Sequence, residues 1–202
     1  MPKVADRLTP ATPAQVRTAL AVAWRERFAA AASEPSLLVL LSQWALETGR
    51  GRSMHCYNLG NIKSNGKSGD WCFFRCNEII NGKIVWIEPD APGCRFRAHA
   101  TLAAGASDYL ATVFVRFGTA WPAVLAGDPR EFSRRLRAAR YYTAPEASYT
   151  AGLVALFREF RIGWDIERLQ SSLVDAGAYT GAVDGILGPM TMDAVKTIQR
   201  TR

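Results

Sequence analysis

The chain has 202 residues, of which 49% are hydrophobic and 21% charged, with a formal net charge of +7. This composition excludes a disordered chain and supplies enough apolar material for one full domain and a small second one. A positive balance favours a polyanionic partner. The basic residues are scattered, with modest clusters at residues 50–52 and 134–140, so nucleic-acid binding is not expected.

Thr12-Pro13 opens the first predicted helix, with Thr12 as N-cap and Pro13 at the first helical position. Val16, Leu20, Ala23, Trp24 and Phe28 then recur at helical spacing and make one apolar face. Ser33-Glu34-Pro35-Ser36 is a break carrying its own cap. The helix after it, with Leu37, Leu38, Leu40, Leu41, Trp44 and Ala45, is apolar nearly all round and is expected to be the buried central helix. Gly49 is placed to terminate it. From residue 49 to residue 93 Gly, Asn, Ser and Lys become common. There WCFFRCNEII and KIVWIEP read as two strands around Asn81-Gly82, the strongest short hairpin signal. Helical patterns return over residues 101–117, 129–139 and 147–160, with joints at 118–122 and 141–145. Residues 161–164 read as a boundary. A helix over 165–176, a Gly-rich loop over 177–189 and a helix over 190–199 follow. The expected fold class is α+β, mostly α: a helical domain over 1–162 with a small β-hairpin lobe, then a short helical module over 163–202.

No segment reaches the roughly 18 apolar residues of a membrane span, so stable membrane insertion is not expected. The start, MPKVADRLTPATPAQV, has no apolar core and does not read as a secretory signal. All four cysteines, Cys56, Cys72, Cys76 and Cys94, fall between residues 56 and 94. They admit disulfides, zinc or free thiols, and disulfides without a metal are the working expectation. On an extended strand Cys72 and Cys76 would stand roughly 13 Å apart, so they are expected to bond to different partners.

Glu47 lies at the C-terminal end of the apolar helix, beside Trp44, Ala45 and Leu46. The negative end of the helix dipole and the apolar flank both oppose its ionisation. A carboxyl kept protonated in this way suits general-acid work on a glycosidic oxygen. That chemistry usually takes a second carboxylate. Glu78, on the first hairpin strand, is the candidate, with Glu88 in reserve.

SQWALETGRGRS followed by YNLGNIK resembles the segment of glycoside hydrolase family 73 that reads Q-A-x-L-E-[ST]-G-x-G and then Y-N-x-x-G-I-K. NEIINGKIVWIEP, FRAHATLAAGASDYL and ARYYTAPEASYTAGL resemble the family's later motifs in the same order, so the likeness covers about residues 14 to 160. The resemblance implies a lysozyme-like fold that cleaves β-1,4 bonds of the cell-wall glycan as an N-acetylglucosaminidase. Muramidase or lytic transglycosylase action on the same fold, and a non-catalytic wall-binding protein, are the alternatives. It places Glu47 on the general acid, Glu78 on the hairpin carboxylate and Tyr141 on a tyrosine near the reaction centre. Tyr57, Asn58, Lys63 and Tyr149 become substrate-side residues. Arg140 stands where the family has Gly, and Ala144 where it has Asp.

The tail, LQSSLVDAGAYTGAVDGILGPMTMDAVKTIQ, resembles the type-one peptidoglycan-binding domain, whose pattern falls on Tyr179, Asp184, Gly185, Gly188 and Thr191. The resemblance implies peptidoglycan glycan strands as partner, and a monomer without a cofactor is expected. With no secretory signal read at its start, a protein acting on the wall is expected to be made in the cytoplasm and delivered by a holin or a secretion system.

Overall fold

A computed structural model describes residues 2–80 and 83–200, with the backbone alone at residues 78–80. The Asn81-Gly82 turn of the expected hairpin lies outside the described residues. The chain divides into two compact units, Met1–Leu156 and Phe157–Arg202.

In the first unit α1 (Pro13–Phe28) begins in a full capping box between Thr12 and Gln15, which satisfies amide groups that the helix start leaves without partners. Its buried face is Val16, Leu20, Ala23 and Trp24. Ser33 caps α2 (Glu34–Thr48), and Gly49 ends it in the left-handed conformation at φ 57. Leu38, Val39, Leu40 and Trp44 of α2 are wholly buried, and α1 and α4 (Trp121–Ala126) pack beside it. α3 (Leu102–Ala111) packs on α1 and runs into a π-helical turn over Thr112–Arg116. α5 (Pro129–Ala138) follows, capped by Asp128. α4 occupies part of the stretch expected as a joint. Its six residues are too few for apolar periodicity to reveal a helix in advance.

The β-lobe departs from the expected hairpin in one respect. WCFFRCNEII is not one strand. β1 (Trp71–Phe73) pairs antiparallel with β4 (Arg95–Arg97), whereas β2 (Cys76–Ile80) pairs with β3 (Lys83–Ile87), in register from Cys76–Ile87 to Ile80–Lys83. The break falls at Phe74-Arg75, because Phe74 leaves the ladder to stack on Phe96 at 3.9 Å and on His55 at 4.2 Å. This aromatic stack gives a thin lobe a core that two short sheets could not supply.

Gly105 shows how tightly α3 is seated. A Cβ there would lie 2.0 Å from the Tyr57 carbonyl oxygen and 3.1 Å from Leu59 Cδ1. Gly105→Ala must therefore push α3 off the loop that follows α2. Overpacking of this kind costs about 1–3 kcal/mol. Thermal unfolding should show a fall of about 2–12 °C, and an unchanged melting temperature would mean that α3 sits further from that loop.

The second unit is built from the C-terminal part of α6 (Glu146–Asp175) and from α7 (Pro189–Arg200). Residues 161–164, expected as a boundary, are helical and belong to α6. The helix expected over residues 165–176 is the C-terminal part of α6. Leu173, Tyr179 and Ala194 form this unit's core, with Ala178, Val195 and Ile198 against it. Among the described residues no single helix is long and apolar enough to cross a membrane.

Candidate active site

Glu47 sits in the last turn of α2, half-buried, at an open cleft of about 510 Å³. Tyr149 of α6 donates its hydroxyl to Glu47 Oε1 at 2.7 Å. Gln43, one turn earlier on the same face of α2, lies 3.5 Å from that hydroxyl through Nε2. Its Oε1 accepts a hydrogen bond from Tyr109 at 2.5 Å. Tyr142 stacks on Tyr149 at 3.7 Å, nearly parallel. Asn61, itself in a left-handed conformation, donates through Nδ2 to the Glu47 carbonyl at 2.6 Å and so fixes the helix end.

These neighbours decide the protonation of Glu47. Loss of water pushes its carboxyl from 4.5 up to about 7, and the Tyr149 hydrogen bond opposes part of that rise. Burial together with the nearby Glu47 charge holds the phenols of Tyr109, Tyr141 and Tyr149 well above their usual range. They remain hydrogen-bonding groups at neutral pH, and the carboxyl is the group poised to exchange a proton.

Tyr141, Tyr149 and Lys63 line this cleft with Glu47, as do Arg116, Phe117, Arg140 and Tyr142. Tyr141 donates to the Gly60 carbonyl at 2.7 Å and meets Phe117 edge-on. Lys63 donates to the Gly93 carbonyl at 2.5 Å, and its ammonium lies 4.1 Å from the Phe96 ring. An adjoining pocket of about 380 Å³ shares Lys63 and Arg116 and adds Arg97. The groove therefore continues past the Glu47 cleft and is rich in cations.

Two expected substrate residues lie elsewhere. Asn58 is 1% exposed, and its amide is saturated by main chain: Nδ2 donates to the Ile62 and Arg97 carbonyls, and Oδ1 accepts from the Ile62 amide. It shapes the loop instead of facing the cleft. Tyr57 does not line the cleft either; its ring lies beneath the Arg7 guanidinium. Glu78 stands on β2 opposite Val85, one residue beyond the cleft-lining Asn77, and its side chain is outside the described atoms. Glu88 is exposed and pairs with Arg75 at 2.9 Å. Gln43 and Asn61 were missed, although Gln43 stands four residues before Glu47 and that spacing could have found it.

In the second unit four of the five patterned residues gather around one buried side chain, although Asp184 itself is exposed. Gln170, wholly buried, donates to Asp184 Oδ1 at 2.9 Å, Thr191 Oγ1 at 3.2 Å and Tyr179 Oη at 3.3 Å. Its Oε1 accepts from the Asp184 and Gly185 amides. Gly185 is at φ +73, where an added Cβ would lie 2.8 Å from the Gly163 carbonyl. Gly188 has open space at its Cβ position. Tyr179, Asp184 and Gly185, with Thr191 of α7, therefore fix the loop between the helices around Gln170.

The four cysteines are thiols here. Asp6, Cys56 and Cys72 bring three ligand atoms within 4.8 Å of one another, a group able to hold a metal ion.

A helical domain with a small β-lobe, and a cleft floored by a carboxyl at a helix end, define a lysozyme-like α+β fold. Comparison with solved structures agrees. The chain is similar to a peptidoglycan hydrolase mutant from Sphingomonas sp. A1 at 26% identity and a TM-score of 0.51, covering 72% of this chain and 85% of that one. It is similar in fold to the glycoside hydrolase domain of FlgJ from Salmonella typhimurium, at 19% identity and a TM-score of 0.50 over 73% of this chain and 94% of that one. The catalytic domain of the autolysin Auto from Listeria monocytogenes gives 20% identity and a TM-score of 0.50 over 74% and 82%. These last two show the fold alone. Residues 163–202 match the family described as "Putative peptidoglycan binding domain". Among curated proteins, the N-acetylmuramoyl-L-alanine amidase CwlM of Mycobacterium tuberculosis is 42% identical over 65 residues, 31% of this chain and 16% of that protein.

Proposed function

We propose that this protein is a peptidoglycan hydrolase of the N-acetylglucosaminidase type, cleaving β-1,4 bonds of the wall glycan with Glu47 as general acid. The observation that carries the reading is a half-buried carboxyl, pushed up to about 7, at the floor of an open groove. At neutral pH a large fraction of Glu47 holds a proton, which it delivers to the leaving glycosidic oxygen as the bond breaks. Tyr149 orients the carboxyl, and its hydrogen bond stabilises the carboxylate left behind.

Glu78 is the proposed second carboxylate, activating water from the hairpin side. The substrate's own N-acetyl group is the alternative to a protein nucleophile. The cations Lys63, Arg116 and Arg140 suit a substrate carrying peptide carboxylates. The likeness to the Sphingomonas hydrolase and the tail match support the same substrate class. The protein would act on the wall outside the cytoplasm, brought there by a holin or a secretion system.

Mass spectrometry of sacculus digests tests the reaction. Borohydride-reducible N-acetylglucosamine ends are expected. Reducible N-acetylmuramic acid ends would indicate a muramidase, anhydro-sugar ends a transglycosylase, and free stem peptides an amidase. Binding without any soluble product would indicate a wall-binding protein.

A variant reports on the proton donor. The Tyr149 hydroxyl lowers the Glu47 pKa, so Tyr149→Phe should raise it further. Because the protonated form is the active one, the alkaline limb of the pH–rate profile should move to higher pH, with a lower maximum. A limb that stays in place would break the link between Tyr149 and the acid.

A further inference from the structure

The four cysteines sort into two pairs with no sulfur left over. Cys76 opens β2 opposite Ile87 of β3, and its Sγ lies 3.5 Å from Sγ of Cys94. Cys94 ends the turn Pro92–Cys94 and donates to the Ile87 carbonyl at 2.9 Å, which holds its thiol against the base of the hairpin. Cys56 and Cys72 are both buried, with their Sγ atoms within 4.8 Å of each other. With Ala98 they form a small cluster of their own, against Val4 and Phe74. Two sulfurs at such separations reach the disulfide bond length of about 2.05 Å by small side-chain rotations. Cross-pairing would have to cross the break at Phe74-Arg75, where Cys72 and Cys76 enter different sheets.

We propose that the protein matures by oxidation of these pairs to two disulfides, Cys56–Cys72 and Cys76–Cys94. In each closure two S–H bonds break and one S–S bond forms. Two protons and two electrons pass to a disulfide oxidant such as glutathione disulfide, which leaves as two thiols. The Cys76–Cys94 bond ties the first residue of the Glu78 strand to the turn before β4. Lys63 reaches the same junction, with its Nζ 3.4 Å from Cys76 Sγ. Cys76 itself lines the cleft, so this cross-link holds one wall of the groove at a set distance from Glu47. Cys56–Cys72 ties the loop after α2 to β1. Beyond the Phe74 stack and the small cluster around Cys56 and Cys72 the lobe buries little apolar surface, and covalent closure is how small β-rich units usually compensate.

The full chain, purified reduced and then held in glutathione disulfide, is unfolded in an alkylating agent and mapped by proteolysis and mass spectrometry. No alkylated cysteine and two cross-linked peptides, 56 with 72 and 76 with 94, are expected. Cys94→Ser should leave one reactive thiol, Cys76, and keep the other link. Reduction should lower the unfolding temperature by about 12–24 °C, from the loop entropy of two closures. Four alkylated thiols after oxidation, or any other pairing, would overturn the proposal. So would one equivalent of zinc retained through dialysis with Cys56 and Cys72 shielded from alkylation until chelator is added, since Asp6 completes a metal-binding trio with them. The thiol map depends on no catalytic reading. A loss of sacculus turnover on reduction does rest on the hydrolase proposal, and is read separately on the same samples.

Discussion

Glu47→Gln should lower turnover of isolated sacculi by about 10²–10⁴-fold, the range that general acid–base catalysis contributes, while the protein stays folded. Glutamine keeps the shape of the side chain and can still accept the Tyr149 hydroxyl, but it has no acidic proton to deliver. The surroundings do not change, since Gln43, Tyr109, Tyr142 and Asn61 are held by contacts that leave out the Glu47 proton. A second readout separates loss of chemistry from loss of structure. The native state holds the Glu47 proton up to about 7, whereas the unfolded chain releases it at the ordinary carboxyl value of 4.5. In that window the native state binds more protons than the unfolded chain, so wild-type stability falls as pH rises through it. The ionised carboxyl costs about 3 kcal/mol once pH exceeds the folded value. Glu47→Gln removes that cost. The variant should therefore unfold about 6–12 °C above wild type at mildly alkaline pH, and the gap should shrink as pH falls and close only near 4.5, where the wild-type carboxyl becomes neutral in the folded and unfolded states alike. Retention of more than about a tenth of wild-type turnover would remove Glu47 from the acid role, given the size of that effect. A gap independent of pH would contradict its raised pKa.

Deletion of residues 165–202 should weaken binding to intact sacculi by about 10²-fold or more, as expected when one of two linked binding sites is lost. Cleavage of short soluble glycans should be nearly unchanged. Glu47, Tyr141 and Tyr149 all precede the cut. The tail's apolar residues Leu173, Val195 and Ile198 gather around Tyr179 within the second unit, and its polar hub, Gln170, bonds to residues of the same unit. A tethered module raises the local concentration of the catalytic domain at an insoluble surface and leaves the chemical step alone. Pelleting with sacculi, soluble-substrate turnover and thermal unfolding are measured on one truncated preparation. Unchanged pelleting would reject the tail as a wall-binding module. Loss of turnover together with a large fall in melting temperature would make it a structural part of the catalytic fold.

Much of the helical domain was legible in local pattern. Thr12-Pro13, Ser33 and Gly49 mark helix ends through groups only a few residues away, and the apolar faces of α1 and α2 follow from spacing alone. The same locality exposed Glu47, because an acid among apolar residues at a helix end can be seen within one turn. What spacing could not supply was anything decided by a distant partner. The strand starting at Trp71 breaks because β4, more than twenty residues later, takes up β1, and Phe74 turns aside to stack on His55 and Phe96. Asn58 looked like a substrate ligand within YNLGNIK, yet the carbonyls of Ile62 and Arg97 saturate it. The pattern on Tyr179, Asp184 and Thr191 marks a module, but only the packed chain shows that they share Gln170 as a common hydrogen-bond partner. The pairing of the cysteines and the value to which Glu47 is raised belong to the same class. Hydrogen-bond satisfaction, sulfur proximity and desolvation are properties of what surrounds a group in space, and only the packed chain brings those surroundings together.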